Sequence, residues 1–170
     1  MPKKGLYLGG NREKPSDKTH RWMVYCIGWN NGNIVWERLV HEAVPEQPVH
    51  LKNTYASETP VTDGQRLYIY FGNIGLFCYD LDGNKLWSQK WGSFKIRNNW
   101  GTAASPMLYQ DRLYIVNDNE EQSFLVALDK KTGKQIWRAE RDEKSNWASP
   151  YIWQNEHRTE LVTSGRSKVR

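Results

Sequence analysis

The chain has 170 residues, of which 38% are hydrophobic, 13% aromatic and 25% charged, enough apolar mass for a buried core and too little low-complexity sequence for a disordered chain. No run approaches the roughly 18 consecutive apolar residues of a membrane-spanning helix. The net charge of +5 is spread along the chain; the one denser tail, at Arg158, Arg166, Lys168 and Arg170, reads as solvated surface rather than an anion patch, and with no nucleic-acid motif no such partner is expected.

At the start, Met1-Pro-Lys-Lys4 runs at once into a strand pattern, so no export signal is expected in this chain. The run Gly5–Gly10 reads as a strand, Arg21–Ile27 as another and Ile34–Trp36 as a third. Each is rich in aromatic or β-branched residues and bounded by Gly, Asn or Asp, the pattern of strands joined by tight turns. They form a partial unit over residues 5–40.

The next unit, over 56–90, is whole. Pro60-Val61 leads into Asp63-Gly64, then Arg66–Phe71, a Gly72–Gly75 break, Leu76–Tyr79, a turn at Asp80–Gly83 and Lys85–Trp87. The same order recurs over 103–140: Pro106–Tyr109, Arg112–Val116, Ser123–Leu128, a turn at Asp129–Gly133 and Gln135–Trp137. Pro150–Trp153 and Thr159–Thr163 begin a further unit over 148–170, and the chain stops near where its third strand would start.

Two markers keep this beat. Gly32, Gly83 and Gly133 each stand four residues before a tryptophan, Trp36, Trp87 and Trp137, and those tryptophans are 51 and 50 residues apart. Thr59-Pro60, Ser105-Pro106 and Ser149-Pro150 open the innermost strands. A repeat of about 40–50 residues containing four strands is the blade of a β-propeller. The fold expected is therefore all-β: a propeller segment of four-stranded antiparallel blades, two complete and flanked by two partial ones. Closing this chain on itself would give three blades, fewer than the four to eight that propellers use, so it reads as a single segment (1–170) of a larger ring, whose remaining blades would be one partner.

Cys26 and Cys78 fall in the same slot of the third strand of successive units, where Ala127 stands in the next. Packed sheets lie about 10 Å apart, whereas a disulfide needs Cα atoms within about 7 Å, so two buried free thiols are expected. His20, His41, His50 and His157 show no metal-ligand spacing, and His20 and His157 fall in expected loops. The cluster Asn117–Glu121 has oxygen donors but not the twelve-residue calcium-loop pattern, and reads as a solvated turn.

The run Ala127-Leu-Asp-Lys-Lys-Thr-Gly-Lys-Gln-Ile-Trp137 resembles the tryptophan-docking motif of the pyrroloquinoline-quinone-like, quinoprotein-type β-propeller repeat. The copies at Tyr79–Trp87, one residue shorter in the turn, and Ile27–Trp36, with Gly28 in place of Asp, follow it less closely. The resemblance spans roughly residues 5 to 165 and implies a ring of about eight blades. It also implies a bacterial, periplasmic or secreted setting. In this reading Gly32, Gly83 and Gly133 permit the turns, and Trp36, Trp87 and Trp137 dock one blade on the next, each indole able to bury on the order of 200 Å².

The loops joining second to third strands share one rim with the blade-to-blade segments. Two of those segments, Trp91–Trp100 and Arg141–Trp147, end in Asn-Trp shortly before Ser-Pro. Asn99, Trp100, Asn146 and Trp147, with Lys95 and Arg97 close by, are the ligand-binding candidates: stacking, amide hydrogen bonds and charge could hold a polar planar group, while the alternative is that the tryptophans only cap the inner strands. Tyr55 and Glu58 occupy that neighbourhood one repeat earlier.

No nucleophile elbow, phosphate loop or catalytic constellation appears, so no catalytic or metal residue is assigned. The function expected is a non-catalytic binding and interaction scaffold for a protein or peptide partner, with no cofactor. The alternative carried by the resemblance is a fragment of a dehydrogenase using pyrroloquinoline quinone with calcium.

Overall fold

The computed structural model describes residues 14–170, so the strand expected at Gly5–Gly10 lies outside the described residues. Strands β1 (His20–Ile27) and β2 (Ile34–Ala43) form a two-stranded antiparallel sheet. Strands β3 (Val61–Thr62), β4 (Arg66–Phe71), β5 (Gly75–Asp80) and β6 (Lys85–Gln89) form the first whole blade, in that order. Strands β7 (Met107–Tyr109), β8 (Arg112–Asn117), β9 (Phe124–Asp129) and β10 (Gln135–Glu140) form the second. A last pair, β11 (Tyr151–Gln154) and β12 (Thr159–Val162), completes an all-β arrangement of two four-stranded blades between two partial ones. The main departure in extent is β2, which runs to Ala43 rather than ending at Trp36.

The core lies between sheets. Tyr68, Leu76 and Cys78 of the first whole blade bury against Leu113, Ile115, Phe124, Val126 and Leu128 of the second. The other face, Ile69, Phe71, Phe77 and Tyr79, packs on Trp22 and Val24 of β1. Both faces of these blades are covered, so β4 and β8 read as nearly continuous apolar runs, not as an alternating pattern.

The Gly and Trp markers are partners across blades. The Trp36 indole Nε1–H donates to the Leu81 carbonyl at 2.8 Å, and that of Trp87 to the Lys130 carbonyl at 3.3 Å. A Cβ built on Gly83 would lie 2.9 Å from the Trp36 ring, and one on Gly133 would lie 2.5 Å from the Trp87 ring. Each glycine therefore does more than admit the positive φ of its turn: it is the floor on which the preceding blade's indole lies. Two residues after the tryptophan a polar side chain adds a second tie, Arg38 Nε to the Gly83 carbonyl at 2.7 Å and Gln89 Nε2 to the Gly133 carbonyl at 2.8 Å.

Register explains how the indole is aimed. Trp36, Trp87 and Trp137 pair with Cys26, Cys78 and Ala127, whereas Ile34, Lys85 and Gln135 pair with the next residue along, Ile27, Tyr79 and Leu128. Val35, Leu86 and Ile136 are thus the extra residues of β-bulges, which sharpen the local twist. All three face solvent, 66%, 48% and 44% exposed. Both cysteines are free, Cys78 buried and Cys26 half-buried. Burial pushes the Cys78 thiol up to about 12.

Two expectations are corrected. His20 opens β1 rather than lying in a loop, with its ring 5.0 Å from that of Tyr55. The cluster Asn117–Glu121 is not a solvated turn, because Asn117, Asp118 and Asn119 are buried under the segment that follows β10. Its polar groups are satisfied internally: Asn119 Oδ1 accepts from the Glu121 and Gln122 amides, and Asp118 takes a two-pronged bond from Arg141, at 2.7 and 3.1 Å.

The basic tail is solvated as expected, Arg158, Arg166, Lys168 and Arg170 all being exposed, and one of the four also grips a buried carboxylate. Arg170 reaches Glu143 Oε1 at 2.8 Å, and the Glu143 side chain is only 1% exposed. Burial alone would raise the Glu143 carboxyl; the Ser167 amide and the Arg170 charge outweigh it and hold the group below its ordinary range.

A candidate docking rim

The turn after β4, the loop after β8 and the segments leaving β6 and β10 converge on one rim. Asn73 Oδ1 accepts from the Phe94 amide at 3.2 Å, and Glu121 Oε2 accepts from the Lys95 amide at 2.9 Å. One blade further on, Ser123 Oγ donates to the Glu143 carbonyl at 2.8 Å. The rim segments are thus tied to the hairpin loops of their own blade and, through Lys95 and Glu121, to that of the next, which fixes loops that would otherwise be mobile.

On this rim three rings step from one blade to the next. Trp100 and Trp147 lie with centroids 5.5 Å apart and planes tilted by 35°, and His50 meets Trp100 edge-on at 5.7 Å. Backbone bonds hold the steps: the Trp147 indole donates to the Gly101 carbonyl at 2.7 Å, and Asn53 Nδ2 donates to the Trp100 carbonyl at 2.7 Å. Trp100 and Trp147 are therefore brought together as neighbours. The equivalent in the preceding repeat is His50, not Tyr55 or Glu58. His50 stands 50 residues before Trp100, a spacing that could have revealed it, but a search for Asn-Trp pairs passes over a histidine.

The remaining candidates divide. Arg97 opens a short 3-10 turn, Arg97–Asn99, in which Asn98 and Asn99 take positive φ of 55° and 58°. That turn is pinned through the Arg97 amide, which donates to Ser145 Oγ at 2.9 Å on the next rim segment, while the Lys95 and Arg97 side chains are exposed. The Asn146 side-chain amide is committed to the Ser164 carbonyl, to which it donates. Tyr55 instead packs on Trp22, accepting its indole N–H at 2.9 Å through the backbone carbonyl.

Glu58 bonds the Gly72 amide at 3.1 Å. Burial raises its pKa, with the Thr102 hydroxyl working against the shift. Burial, and after it the nearby Glu58 charge, likewise raises the Tyr70 phenol, which accepts from Asn117 Nδ2 at 2.9 Å. Among the described residues no group of three or more His, Cys, Asp or Glu stands close enough to hold a metal ion. Of the oxygen donors in Asn117–Glu121, Asp118 is committed to Arg141 and Asn119 to its own turn. No helix among the described residues is long and apolar enough to cross a membrane.

A family model described as outer membrane protein assembly factor BamB matches residues 20–162. No curated protein matches the chain. Among solved structures the chain is similar to BamB from Moraxella catarrhalis, at 13% identity and a TM-score of 0.48, over 82% of this chain and 36% of that one. It is similar to a quinohemoprotein alcohol dehydrogenase, ADHIIG, from Pseudomonas putida HK5, at 19% identity and a TM-score of 0.48, over 69% of this chain and 18% of that one. A europium-containing methanol dehydrogenase matches at 14% identity and a TM-score of 0.46, over 69% of this chain and 21% of that one. The chain spans from under a fifth to just over a third of the length of these structures.

Proposed function

The chain belongs to the family described as outer membrane protein assembly factor BamB, built of pyrroloquinoline-quinone-like repeats, and from that premise we propose that its blades are a non-catalytic scaffold whose rim docks a protein or peptide partner in the bacterial periplasm. The described blades would be part of a larger propeller. The observation that supports this reading is the run of rings His50, Trp100 and Trp147, carried from blade to blade at 5.7 and 5.5 Å, with exposed Lys95 and Arg97 a few residues before Trp100.

Such a surface suits an extended peptide. Rings offer contact area at little cost in side-chain entropy, and exposed Lys and Arg side chains steer acidic or polar segments without fixing one sequence. Neither a quinone nor a metal is needed for that role. The polar atoms that repeat between blades tie loops together, while His50, Trp100 and Trp147 stay partly exposed and Lys95 and Arg97 are exposed.

The test is an array of extended peptides drawn from bacterial outer membrane proteins, probed with the wild-type chain and with Trp100→Ala and Trp147→Ala. Saturable binding that weakens about tenfold in each variant, with the β-sheet signal in circular dichroism retained at the assay temperature, is the expected outcome. A bound chromophore on addition of pyrroloquinoline quinone and calcium, with dye-linked alcohol oxidation, would favour a dehydrogenase segment instead.

A further inference from the structure

Where the first sheet meets the first whole blade, three rim segments line an open-mouthed cavity of about 220 Å³. For comparison, an apolar cavity of about 150 Å³ holds benzene. Rings form one wall: Trp22, only 4% exposed, lies 5.9 Å from Tyr55 and 5.3 Å from His41. Because the Trp22 indole N–H is already bonded to the Tyr55 carbonyl, at 2.9 Å, this wall presents ring surface rather than a donor. Val44, Val49 and Ile74 supply aliphatic surface opposite.

The cavity is a built feature. A Cβ on Gly101 would strike Val49 at 2.8 Å and Asn53 at 3.0 Å, so the loop after β2 and the segment before β7 close on each other only because residue 101 lacks a side chain. Lys90 and Glu46, both exposed, line the cavity with opposite charges. Between the rings and aliphatic groups stand the polar side chains of Gln47, Thr54, Asn73 and Ser93, and the Ser93 hydroxyl is buried with no partner among the described residues, so the lining, with its charges balanced, fits an uncharged occupant that is largely apolar.

We infer that this cavity takes the side chain of one aromatic residue, Phe, Tyr or Trp, from an extended segment of a partner protein. The inference rests on the docking reading of the rim and gives it an anchor. Aromatic side chains prefer edge-to-face or offset contact with other rings, which Trp22, Tyr55 and His41 offer from different angles. A buried aromatic anchor in a pocket carries a large share of the affinity of many interfaces.

The experiment titrates the 170-residue chain with N-acetyl-phenylalaninamide and N-acetyl-tryptophanamide, with N-acetyl-alaninamide as the control, and follows the tryptophan indole signals by NMR. Saturable shifts of the Trp22 signal at about millimolar ligand, as expected of a single anchor, are expected for the two aromatic probes and not for the control. Val44→Trp, which plugs the cavity from a half-exposed position, and Ala43→Leu, which fills it from within, should each weaken the probes at least tenfold. Trp29→Ala, at a site 99% exposed on the turn after β1, should not. No saturation, equal binding of the alanine probe, or full binding by both folded plug variants would overturn the inference. Probe binding that survives while the peptide array shows none would overturn the rim reading and leave the cavity standing as a site; the reverse would overturn the cavity alone.

Discussion

The backbone N–H of Ser105 donates to the hydroxyl of Ser149 at 2.8 Å, and one blade earlier the N–H of Thr59 donates to the hydroxyl of Ser105 at 2.8 Å. The residue before each innermost-strand proline is thus a rung joining one blade to the next. Ser105→Ala, which removes the acceptor for Thr59, should cost about 1 kcal/mol in urea unfolding. Ser149→Ala should cost a similar amount, and Ser105→Thr should restore most of the loss, since it keeps the hydroxyl.

A second inter-blade tie depends on charge. Asp63 accepts from the Gln65 and Arg66 amides and the Tyr68 hydroxyl, and pairs with Lys130 of the next blade at 3.1 Å. Burial works to raise the carboxyl, but Lys130 and those donors prevail and lower it from 3.8 to about 2. Because the folded state holds the ionised form, its contribution is present above the ordinary carboxylate pKa and is lost as pH falls from about 4 toward 2. Asp63→Asn should flatten the fall in stability over that window and lower stability at pH 7, both read from urea midpoints.

The buried pair Asp118 and Arg141 makes a larger claim. Their side chains are 0% and 5% exposed, and Arg141 also reaches the hydroxyl of Thr163, the residue after β12, at 2.7 Å, tying the last partial blade to the second whole one. Removing one partner leaves an uncompensated buried charge, so Arg141→Ala should cost about 3–5 kcal/mol. Replacing both partners with apolar residues should cost less than the single change, a comparison a double-mutant cycle reads directly.

Cys78 is completely buried, with its thiol pushed up to about 12 by that burial, so a thiol reagent at pH 8 should leave it untouched in the folded chain and modify it only on unfolding. Cys26, half-buried on the partial sheet, should react first. Mass spectrometry of the two peptides over time separates them, and equal rates would argue against the burial described.

The strand order was legible in the sequence because blade strands are short, apolar and punctuated by Gly, Asn and Asp, and because the beat of Trp36, Trp87 and Trp137 fixes the frame. What those tryptophans touch was legible only as a neighbouring blade. That Gly83 and Gly133 are their seats follows from the turn of one unit lying beside the last strand of the unit before it, a relation between residues 47 and 46 positions apart. The bulges at Val35, Leu86 and Ile136 left no mark beyond an aliphatic residue, which a continuous strand would carry equally well.

The rim was only partly legible. Trp100 and Trp147 were found by their repetition, while His50 was not, since its ring takes the same place with different chemistry. Asn117–Glu121 was misread because polarity in sequence signals water, whereas here the polar atoms satisfy one another beneath a neighbouring segment.

Three glycines at the equivalent place in successive turns, between β1 and β2, β5 and β6, and β9 and β10, make the most direct test of blade docking. Gly32 and Gly133 both hold φ of 70°, so alanine strains the backbone of each by about 1 kcal/mol, but a Cβ at Gly133 would also meet the Trp87 ring at 2.5 Å while one at Gly32 meets nothing within 4 Å. Gly83, seated under Trp36, should behave as Gly133 does. The comparison of Gly133→Ala with Gly32→Ala in urea unfolding should therefore show Gly133→Ala weaker by a further 1–3 kcal/mol or so, the ordinary range for overpacking. Equal losses at the two positions would contradict the seating of one blade's indole on the next blade's glycine, and with it the fan of blades that forms the rim.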